Sequence, residues 1–329
     1  PYEAVVPHYV KCFTEYLRAA GYYCTNNVKT DYQFQPPITA WDELSTEAHW
    51  RNRENPDQPF FAVFNPTRTH ESGMWDAGSL PGQDASETEL AFDPSQMVVP
   101  PYFPDTPRVR ESLARMYTNI EASDRQLGEV LAELDEDGLG ENTIVMHWSD
   151  HGPLPRGKRW PYDSGIRVPL IVRGASDYAP GTVCDDLVST IDLGPTVLSL
   201  AGISVPRHMQ GQAFLGSQRQ AARKYVFASR DRYDESYDMI RAARDKRFKY
   251  IRHYNCNEPY LQWIPYRNRH PIMQEMWRAH LADELNDEQR AMFGSRPLEE
   301  LYDTEADPWE LQNLAAEPAH SDTLRRMRD

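Results

Sequence analysis

The stretch TIVMHWSDHGPLPRGKRWPYDSGIRVPLIVR, residues 143–173, contains the pattern that decides the fold. Its two ends, 143–149 and 167–173, are short apolar runs rich in β-branched residues, which predicts two strands, the first of them buried. The residues between them are polar and rich in Pro and Gly, which predicts a loop. Asp150 and His151 follow the first predicted strand directly, so its carboxyl end holds a carboxylate beside an imidazole.

The sequence before this stretch alternates between predicted helices and strands. Residues 107–136 have a first-turn Pro and apolar positions at the helical period, which predicts a long helix. Residues 8–20 predict a shorter helix, and residues 22–27 and 59–66 predict strands, the second buried on both faces. This alternation favours an α/β fold with a mixed, mostly parallel sheet between helices.

The sequence after residue 215 has a different pattern. Three strand candidates at 224–231, 238–245 and 248–254 follow one another closely, which predicts an antiparallel meander. Residues 275–285 predict a helix. We therefore divide the chain into an α/β domain at 1–215 and a smaller α+β subdomain with an antiparallel sheet at 216–329.

The composition excludes several classes of function. The 329 residues include 35 Lys and Arg against 50 Asp and Glu, for a formal charge of −15. Such a charge repels nucleic acids and anionic membranes, and no apolar run approaches the roughly 20 residues that span a bilayer. We expect neither a nucleic-acid partner nor membrane insertion, and the sequence does not fix the oligomeric state. The four cysteines form no CxxC motif, so they fit four buried thiols or one or two disulfides equally well.

Polar clusters follow three of the predicted strands. They read TNNVKTD with Lys29, NPTRTHE with His70, and SDHGPLPRGK with Asp150, His151 and Lys158. In parallel sheets, active sites collect at the carboxyl ends of strands, so these side chains could form an anion pocket beside a cation. Carboxylate oxygen suits Ca²⁺ or Mg²⁺, and an ammonium group can neutralise a developing oxyanion. Each residue alone also fits a turn or a solvated surface position.

The composite pattern around residues 143–173 resembles a known family. The order Asp-His-Gly, then Gly157-Lys158, then Gly165-Ile166-Arg167-Val168-Pro169 resembles the signature of sulfatases, within the alkaline-phosphatase-like superfamily. Three further segments resemble other parts of the same family, so that the resemblance covers nearly the whole chain. They are YLRAAGYYCTNNVKTDY at 16–32, FFAVFNPTRTHE at 60–71 and ELYDTEADPWELQNLA at 300–315.

The resemblance implies a role for each of these polar residues. Lys29 and Lys158 would bind sulfate oxygens, and His70 would contact the sulfate and help to protonate the leaving group. Asp150 and His151 would be ligands of a divalent metal, Ca²⁺ or Mg²⁺, that acts as a Lewis acid. The resemblance thus implies three catalytic residues and two metal ligands.

The sequence departs from the family pattern in three respects. The family nucleophile is a formylglycine made from Cys or Ser in a C/S-x-P-x-R motif, and no Cys or Ser here begins one. The family's N-terminal Asp pair is also missing, since Asp185-Asp186 comes far too late. We therefore expect that the chain lacks the N-terminal part that holds the nucleophile, and that the chain alone is inactive. Many members have His two residues after the first lysine; Asp31 here could act as a base or contact the substrate.

The segment FASRDRYDESYD at 227–238 is a candidate for sugar recognition. Its charged residues Arg230, Asp231, Arg232 and Asp234 could bind sugar hydroxyls or carboxylates, since guanidinium groups suit acidic glycans. The alternative is a strand edge with surface charges. Aromatic residues at 255–266 could stack on a sugar ring or pack in the core.

Together these features predict a metal-dependent hydrolase of sulfuric esters or sulfamates on a sulfated carbohydrate, for example in glycosaminoglycan degradation. A phosphodiesterase or phosphonate hydrolase of the same superfamily is one alternative, and a non-catalytic relative that binds acidic glycans is another. No signal segment is visible, and by analogy we expect a periplasmic, extracellular or lysosomal protein.

Overall fold

The computed structural model describes residues 4–75 and 89–329. The chain forms two compact units, the first from Pro1–Pro66 and Ala175–Arg223 and the second from Thr67–Gly174 and Lys224–Asp329. The domain boundary after residue 215 stays a prediction. Within the described ranges, no helix is both long and apolar enough to cross a membrane.

The helices and strands follow one another along both units. In chain order, the α-helices are α1 Phe13–Ala19, α2 Pro107–Glu136, α3 Asp163–Ile166, α4 Leu193–Leu200, α5 Pro271–Leu281, α6 Asp287–Ala291 and α7 Ser321–Arg328. The strands are β1 Tyr23–Asn27, β2 Glu43–Leu44, β3 Phe60–Phe64, β4 Val145–Trp148, β5 Leu170–Arg173, β6 Val226–Tyr233, β7 Ser236–Arg244, β8 Phe248–His253 and β9 Glu299–Asp303.

The first unit contains a parallel sheet of three strands in the order β2-β1-β3. Its core includes Leu17 of α1, Cys24 of β1 and Leu198 of α4, all fully buried. Helix α1 begins at Phe13 rather than at residue 8, because the Glu15 carboxylate accepts a 2.8 Å hydrogen bond from the N–H of Cys12 and caps the helix there.

Strands β3 and β4 are less buried than the sequence predicted. Every residue of β3 is half-buried, because β3 is an edge strand of its sheet while β1 is central. In the second unit, β4 pairs antiparallel with β5 in a ribbon of only two strands, and Trp148 of β4 is 37% exposed. The prediction of buried strands at these two places is therefore wrong.

The second unit also contains the predicted antiparallel meander, β6-β7-β8, which gains β9 as a fourth strand. Helix α2 spans the predicted residues, with the Thr106 hydroxyl accepting a hydrogen bond from the N–H of Val109. Helix α5 begins at Pro271, four residues before the predicted start, because the His270 ring caps it. Buried residues of α2, β7 and α5, among them Leu113, Ile240 and Met276, form one core.

Ion pairs fix the loop after β4 to the antiparallel sheet. The ammonium of Lys249 in β8 is fully buried and lies 2.5 Å from the carboxylate of Asp163 in α3 and 2.6 Å from Glu310. The Glu310 carboxylate also accepts a 2.7 Å hydrogen bond from the N–H of Asp163, and Arg244 of β7 pairs with Asp163 at 3.1 Å. The stretch that carries the sequence pattern is thus held by buried charges.

All four cysteines are free. Cys24 is buried, Cys12 and Cys256 are half-buried and Cys184 is exposed. Neither option that the sequence left open, a set of four buried thiols or one or two disulfides, describes the structure.

Candidate active site

Two glycines bring together the two parts of the loop that follows β4. A Cβ atom on Gly165 would lie 1.9 Å from the carbonyl oxygen of Gly157, and one on Gly157 would lie 2.5 Å from that of Ser164. The backbone of Gly152 also donates a 2.9 Å hydrogen bond to the carbonyl of Gly165. Only glycine permits such close approach, which explains why the pattern has Gly at these spacings.

Lys158 and His70 are in contact. The ammonium nitrogen of Lys158 lies 3.4 Å from Nε2 of His70. The other ring nitrogen, Nδ1, lies 2.7 Å from the hydroxyl of Ser72 and accepts a 3.4 Å hydrogen bond from the N–H of Ser72. The ammonium of Lys158 and the N–H of Ser72 can both only donate, the first towards Nε2 and the second towards Nδ1. The ring of His70 therefore lies between two donors, the ammonium of Lys158 at Nε2 and the N–H of Ser72 at Nδ1.

Glu71 lies between Lys158 and Arg159. Its carboxylate is fully buried, 3.0 Å from the ammonium of Lys158, and accepts hydrogen bonds of 2.8 and 3.0 Å from Arg159. Burial raises the pKa of Glu71, but the hydrogen bonds and charges of Arg159 and Lys158 outweigh burial and bring the pKa to about 2. Sequence reasoning missed Glu71, although an acid directly after His70 and the Lys158-Arg159 pair were visible signals.

Asp150 and His151 present a carboxylate and an imidazole to the same point. Nδ1 of His151 lies 3.0 Å from the carbonyl of Gly152, so it carries a hydrogen, and Nε2 lies 3.4 Å from Oδ2 of Asp150. In the neutral ring, the Nε2 lone pair therefore faces the carboxylate, and a cation between them would remove the repulsion. Two ligands about 2.4 Å from Ca²⁺ at a right angle are about 3.4 Å apart, which fits this spacing.

The set of metal ligands is not complete within the described ranges. No group of three or more His, Cys, Asp or Glu side chains placed to hold a metal ion occurs in residues 4–75 and 89–329. The chemistry and the spacing of the donor atoms of Asp150 and His151 fit a divalent cation. Two side chains do not complete its coordination shell.

Lys29 and Asp31 lie together in the first unit. The ammonium of Lys29 is 3.2 Å from the carboxylate of Asp31, and both side chains are exposed. The carbonyl of Lys29 accepts hydrogen bonds from the side-chain amides of Asn26 and Asn65, at 3.2 and 3.1 Å. These two asparagines, at the ends of β1 and β3, shape the lysine loop, and sequence reasoning assigned them no role.

The four charged residues predicted to bind sugar face in different directions. Arg230 is buried, donates a 2.8 Å hydrogen bond to Gln262 and lies 3.4 Å from Asp238. The other three are exposed: Asp231 pairs with Arg241 at 2.7 Å, and Arg232 donates to the carbonyl of Asp234 at 2.8 Å. A role of the four in substrate binding stays a prediction, and the surface alternative does not describe Arg230.

Comparisons with protein-family models and with curated proteins agree on one family. A family model described as "Sulfatase" matches residues 18–203, and one described as "N-sulphoglucosamine sulphohydrolase, C-terminal" matches residues 151–290. The chain is 45% identical to an ulvan-active sulfatase of Formosa agariphila, over 99% of this chain and 60% of that protein. It is 30% identical to the human N-sulphoglucosamine sulphohydrolase, over 85% of this chain and 58% of that protein. The chain thus spans at most about 60% of the length of these relatives.

Solved structures show the fold. A protein in complex with its substrate D-glucosamine-2-N,6-O-disulfate superposes with a TM-score of 0.59 at 16% identity, over 97% of this chain and 80% of that chain. At this identity the likeness concerns the fold alone, and it confirms the predicted alkaline-phosphatase-like class.

Proposed function

Because the chain belongs to the sulfatase family, we propose that it provides part of the active site of a sulfuric ester hydrolase that acts on a sulfated carbohydrate. In this reaction, water splits the ester and yields inorganic sulfate and a free sugar hydroxyl. The observation that carries the proposal is the 3.4 Å contact between Lys158 and His70, two residues that the family pattern singles out and that lie 88 positions apart.

When the ring of His70 is protonated, its Nε2–H and the ammonium of Lys158 are two neighbouring donors, and they favour an acceptor that contacts both. A sulfate ester supplies such acceptors, because its sulfate oxygens and its bridging oxygen all accept hydrogen bonds. We assign the sulfate oxygens to the ammonium of Lys158, which stabilises the charge that develops in the transition state. The bridging oxygen is assigned to Nε2 of His70.

The surroundings of His70 suit the transfer of a proton to the leaving oxygen. The negative charge of a bound sulfate ester favours the imidazolium form. In that form Nδ1–H donates to the hydroxyl of Ser72, and Nε2–H is directed at the ester. Loss of the Nε2 hydrogen to the leaving oxygen returns the ring to a neutral form that Ser72 still holds.

The sulfatase family is generally metal-dependent. We propose that Asp150 and Nε2 of His151 are two of the ligands of a Ca²⁺ ion, since their spacing suits the longer ligand distances of Ca²⁺ better than those of Mg²⁺. A bound metal ion would polarise the sulfate oxygens as a Lewis acid. Lys29 is proposed as a second ligand of the sulfate, with Asp31 as the counterion of Lys29 when no substrate is bound.

We propose a sulfated polysaccharide as the substrate, with ulvan as the first candidate because of the 45% identity to an ulvan-active sulfatase. Sulfamate on glucosamine is a second candidate, which the match of residues 151–290 to the N-sulphoglucosamine sulphohydrolase model favours. A polymeric substrate also favours action outside the cytoplasm, in the periplasm, the extracellular space or the lysosome. Fractionation of source cells followed by immunoblotting tests this location.

Release of sulfate tests the proposed activity. The 329-residue chain and the longest open reading frame that contains it are incubated with Ca²⁺ and with ulvan oligosaccharides, N-sulfoglucosamine or a phosphonate monoester. We expect the longer product to release sulfate. Lys158→Ala should slow this release at least about a hundredfold, whereas Lys11→Ala, at an exposed position just before α1, should leave it unchanged. Faster hydrolysis of the phosphonate, or no loss with Lys158→Ala, would overturn the proposal.

A further inference from the structure

Three buried arginines lie on or next to Trp160 in the interior of the second unit. Arg159, Arg230 and Arg267 are 3%, 7% and 0% exposed. The guanidinium groups of Arg230 and Arg267 lie 4.6 and 5.2 Å from the ring of Trp160, and Arg159 precedes it in sequence. We call Arg159, Arg230 and Arg267 the guanidinium cluster. It adjoins the candidate active site, since Arg159 and Lys158 share the carboxylate of Glu71.

The cluster has more positive charge than its neighbours neutralise. Glu71 pairs with both Arg159 and Lys158. Asp238 likewise pairs with both Arg230 and Arg296. Each of these two carboxylates therefore pairs with two cations, so each of the two groups of side chains has a net positive charge.

Arg267 adds a further buried positive charge to the cluster. Its guanidinium donates to the carbonyl of Gln262, and no carboxylate of the described ranges forms an ion pair with it. Burial and the neighbouring Arg159 and Arg230 lower the pKa of Arg267 to about 9. A buried charge without a counterion is strongly unfavourable, so this position needs an anion.

Within the described ranges, the buried side-chain atoms of the cluster, Trp160 and His270 that lack a hydrogen-bond partner are all donors. His270 contributes one of them, because its Nδ1 accepts a hydrogen bond from the N–H of Ile272 and its hydrogen is therefore on Nε2. Among the described residues, the donors without a partner here are Nε of Arg159, Nε of Arg230, Nε and Nη1 of Arg267, Nε1 of Trp160 and Nε2 of His270, while Nη1 of Arg230 has only the 3.4 Å ion pair with Asp238. Water can satisfy N–H groups, but it cannot neutralise the excess charge.

We propose that the guanidinium cluster binds a second anionic group of the glycan, a carboxylate or a sulfate, beside the sulfate that is hydrolysed. The source of this group rests on the proposed function. Guanidinium groups bind planar carboxylates and sulfate oxygens through paired N–H donors, and an anion would satisfy both the orphan donors and the charge. The protein would then select acidic or multiply sulfated sugars over neutral sugars with one sulfate.

Thermal unfolding of the 329-residue chain tests the proposal without any turnover. Wild type and Arg267→Gln are melted in glucuronate, glucose 6-sulfate or inorganic sulfate, with sodium chloride of equal ionic strength and glucose as references. We expect the two sugar anions and sulfate to raise the wild-type midpoint, by roughly 5 °C at a hundredfold excess over Kd, and not that of Arg267→Gln. Without an oxyanion, Arg267→Gln should melt above wild type, because it removes an unpaired buried charge.

Two further variants keep the test decisive. Arg156→Gln removes another buried arginine of the second unit, one whose guanidinium already donates to the carbonyls of Trp309 and Glu310, and it should keep the response to oxyanions. If Arg267→Gln does not fold, Arg267→Lys retains the charge without the paired donors and should weaken the response. An equal response in wild type and the Arg267 variants, or none in wild type, would overturn the site. A response to inorganic sulfate alone would overturn the glycan assignment, whereas failure of the proposed function would appear only in the sulfate-release assay.

Discussion

The carboxylate of Glu71 lies 3.0 Å from the ammonium of Lys158, and the two side chains are 0% and 9% exposed. Glu71 directly follows His70. One short turn of backbone therefore presents both the imidazole that contacts Lys158 and the carboxylate that is the counterion of Lys158. In a buried site such a pair fixes both the position and the charge of the ammonium. Glu71 is thus a positioning residue for Lys158, and it reaches the proposed chemistry only through that lysine.

Replacement of Glu71 should destabilise the protein and alter its response to acid. Glu71→Gln leaves Lys158 and Arg159 without their carboxylate, and we expect a loss of about 3–5 kcal/mol in the free energy of unfolding at pH 7. The pKa of about 2 in the folded protein lies below the unfolded value of roughly 4.3, so the contribution of Glu71 is complete above that value and is lost as the pH falls toward 2.

Urea unfolding from pH 7 to pH 3 measures this contribution. The difference between wild type and Glu71→Gln should shrink over that range. A difference that is constant with pH would contradict the assigned ion pairs. Glu305→Gln, at a position where the carboxylate is largely exposed, is the matched control and should change stability little.

Lys158 should influence the rate more than the binding of substrate. If its ammonium stabilises the transition state, Lys158→Ala should lower kcat by about 10²–10³ in the longer product, with a smaller change in KM. Lys158→Arg keeps the charge and should recover part of the rate. Steady-state kinetics on a sulfate ester measure both constants, and an effect on KM alone would assign Lys158 to ground-state binding.

Asp150 and His151 should contribute to the binding of Ca²⁺. Asp150→Asn removes a charged ligand, and we expect the apparent Kd for Ca²⁺ to rise at least tenfold in calorimetric titration of the longer product. Asp231→Asn removes an exposed carboxylate that pairs with Arg241, and it should leave the Kd unchanged. Equal affinities in wild type and Asp150→Asn would exclude Asp150 as a ligand.

Local signals account for the parts of the fold that could be predicted. Helix α2 has the predicted bounds, because the residues that indicate it, Thr106, Pro107 and the apolar positions, all lie within the helix or next to it. The meander β6-β7-β8 was likewise predicted, because its strands are close in sequence. For the site, the polar clusters after the strands and the family resemblance predicted one anion pocket with Lys158 and His70, and these two residues are in contact.

Long-range packing explains what the sequence did not predict. Strand β9 pairs with β8 from a distant part of the chain, and its second residue, Glu300, is charged. Glu300 is nevertheless fully buried, because Tyr162, Tyr302 and His253 lie within hydrogen-bond distance of its carboxylate. A glutamate in a strand indicates a surface unless its partners are known.

The buried ammonium of Lys249 should be essential for stability. Lys249→Met leaves the carboxylates of Asp163 and Glu310 buried without their shared cation, and we expect a loss of about 3–5 kcal/mol at pH 7. Burial already raises the pKa of Glu310, and removal of Lys249 raises it further. The folded variant then takes up a proton more readily than its unfolded chain. The loss in the free energy of unfolding relative to wild type, measured with urea, should therefore be smaller at pH 5 than at pH 7. A deficit that grows toward pH 5 would contradict this assignment.

Two glycine variants should have opposite effects on stability. Gly165→Ala places a Cβ 1.9 Å from the carbonyl oxygen of Gly157, and a backbone must move to accept it. Gly128→Ala, in the middle of α2, meets no atom within 4 Å and should stabilise the helix by about 1 kcal/mol. We expect Gly165→Ala to lower the melting midpoint and, in the longer product, the rate of sulfate release, because the loop from Asp150 to Lys158 packs on Gly165. A neutral effect of Gly165→Ala, with Gly128→Ala stabilising as expected, would show that this loop can shift without changing the site.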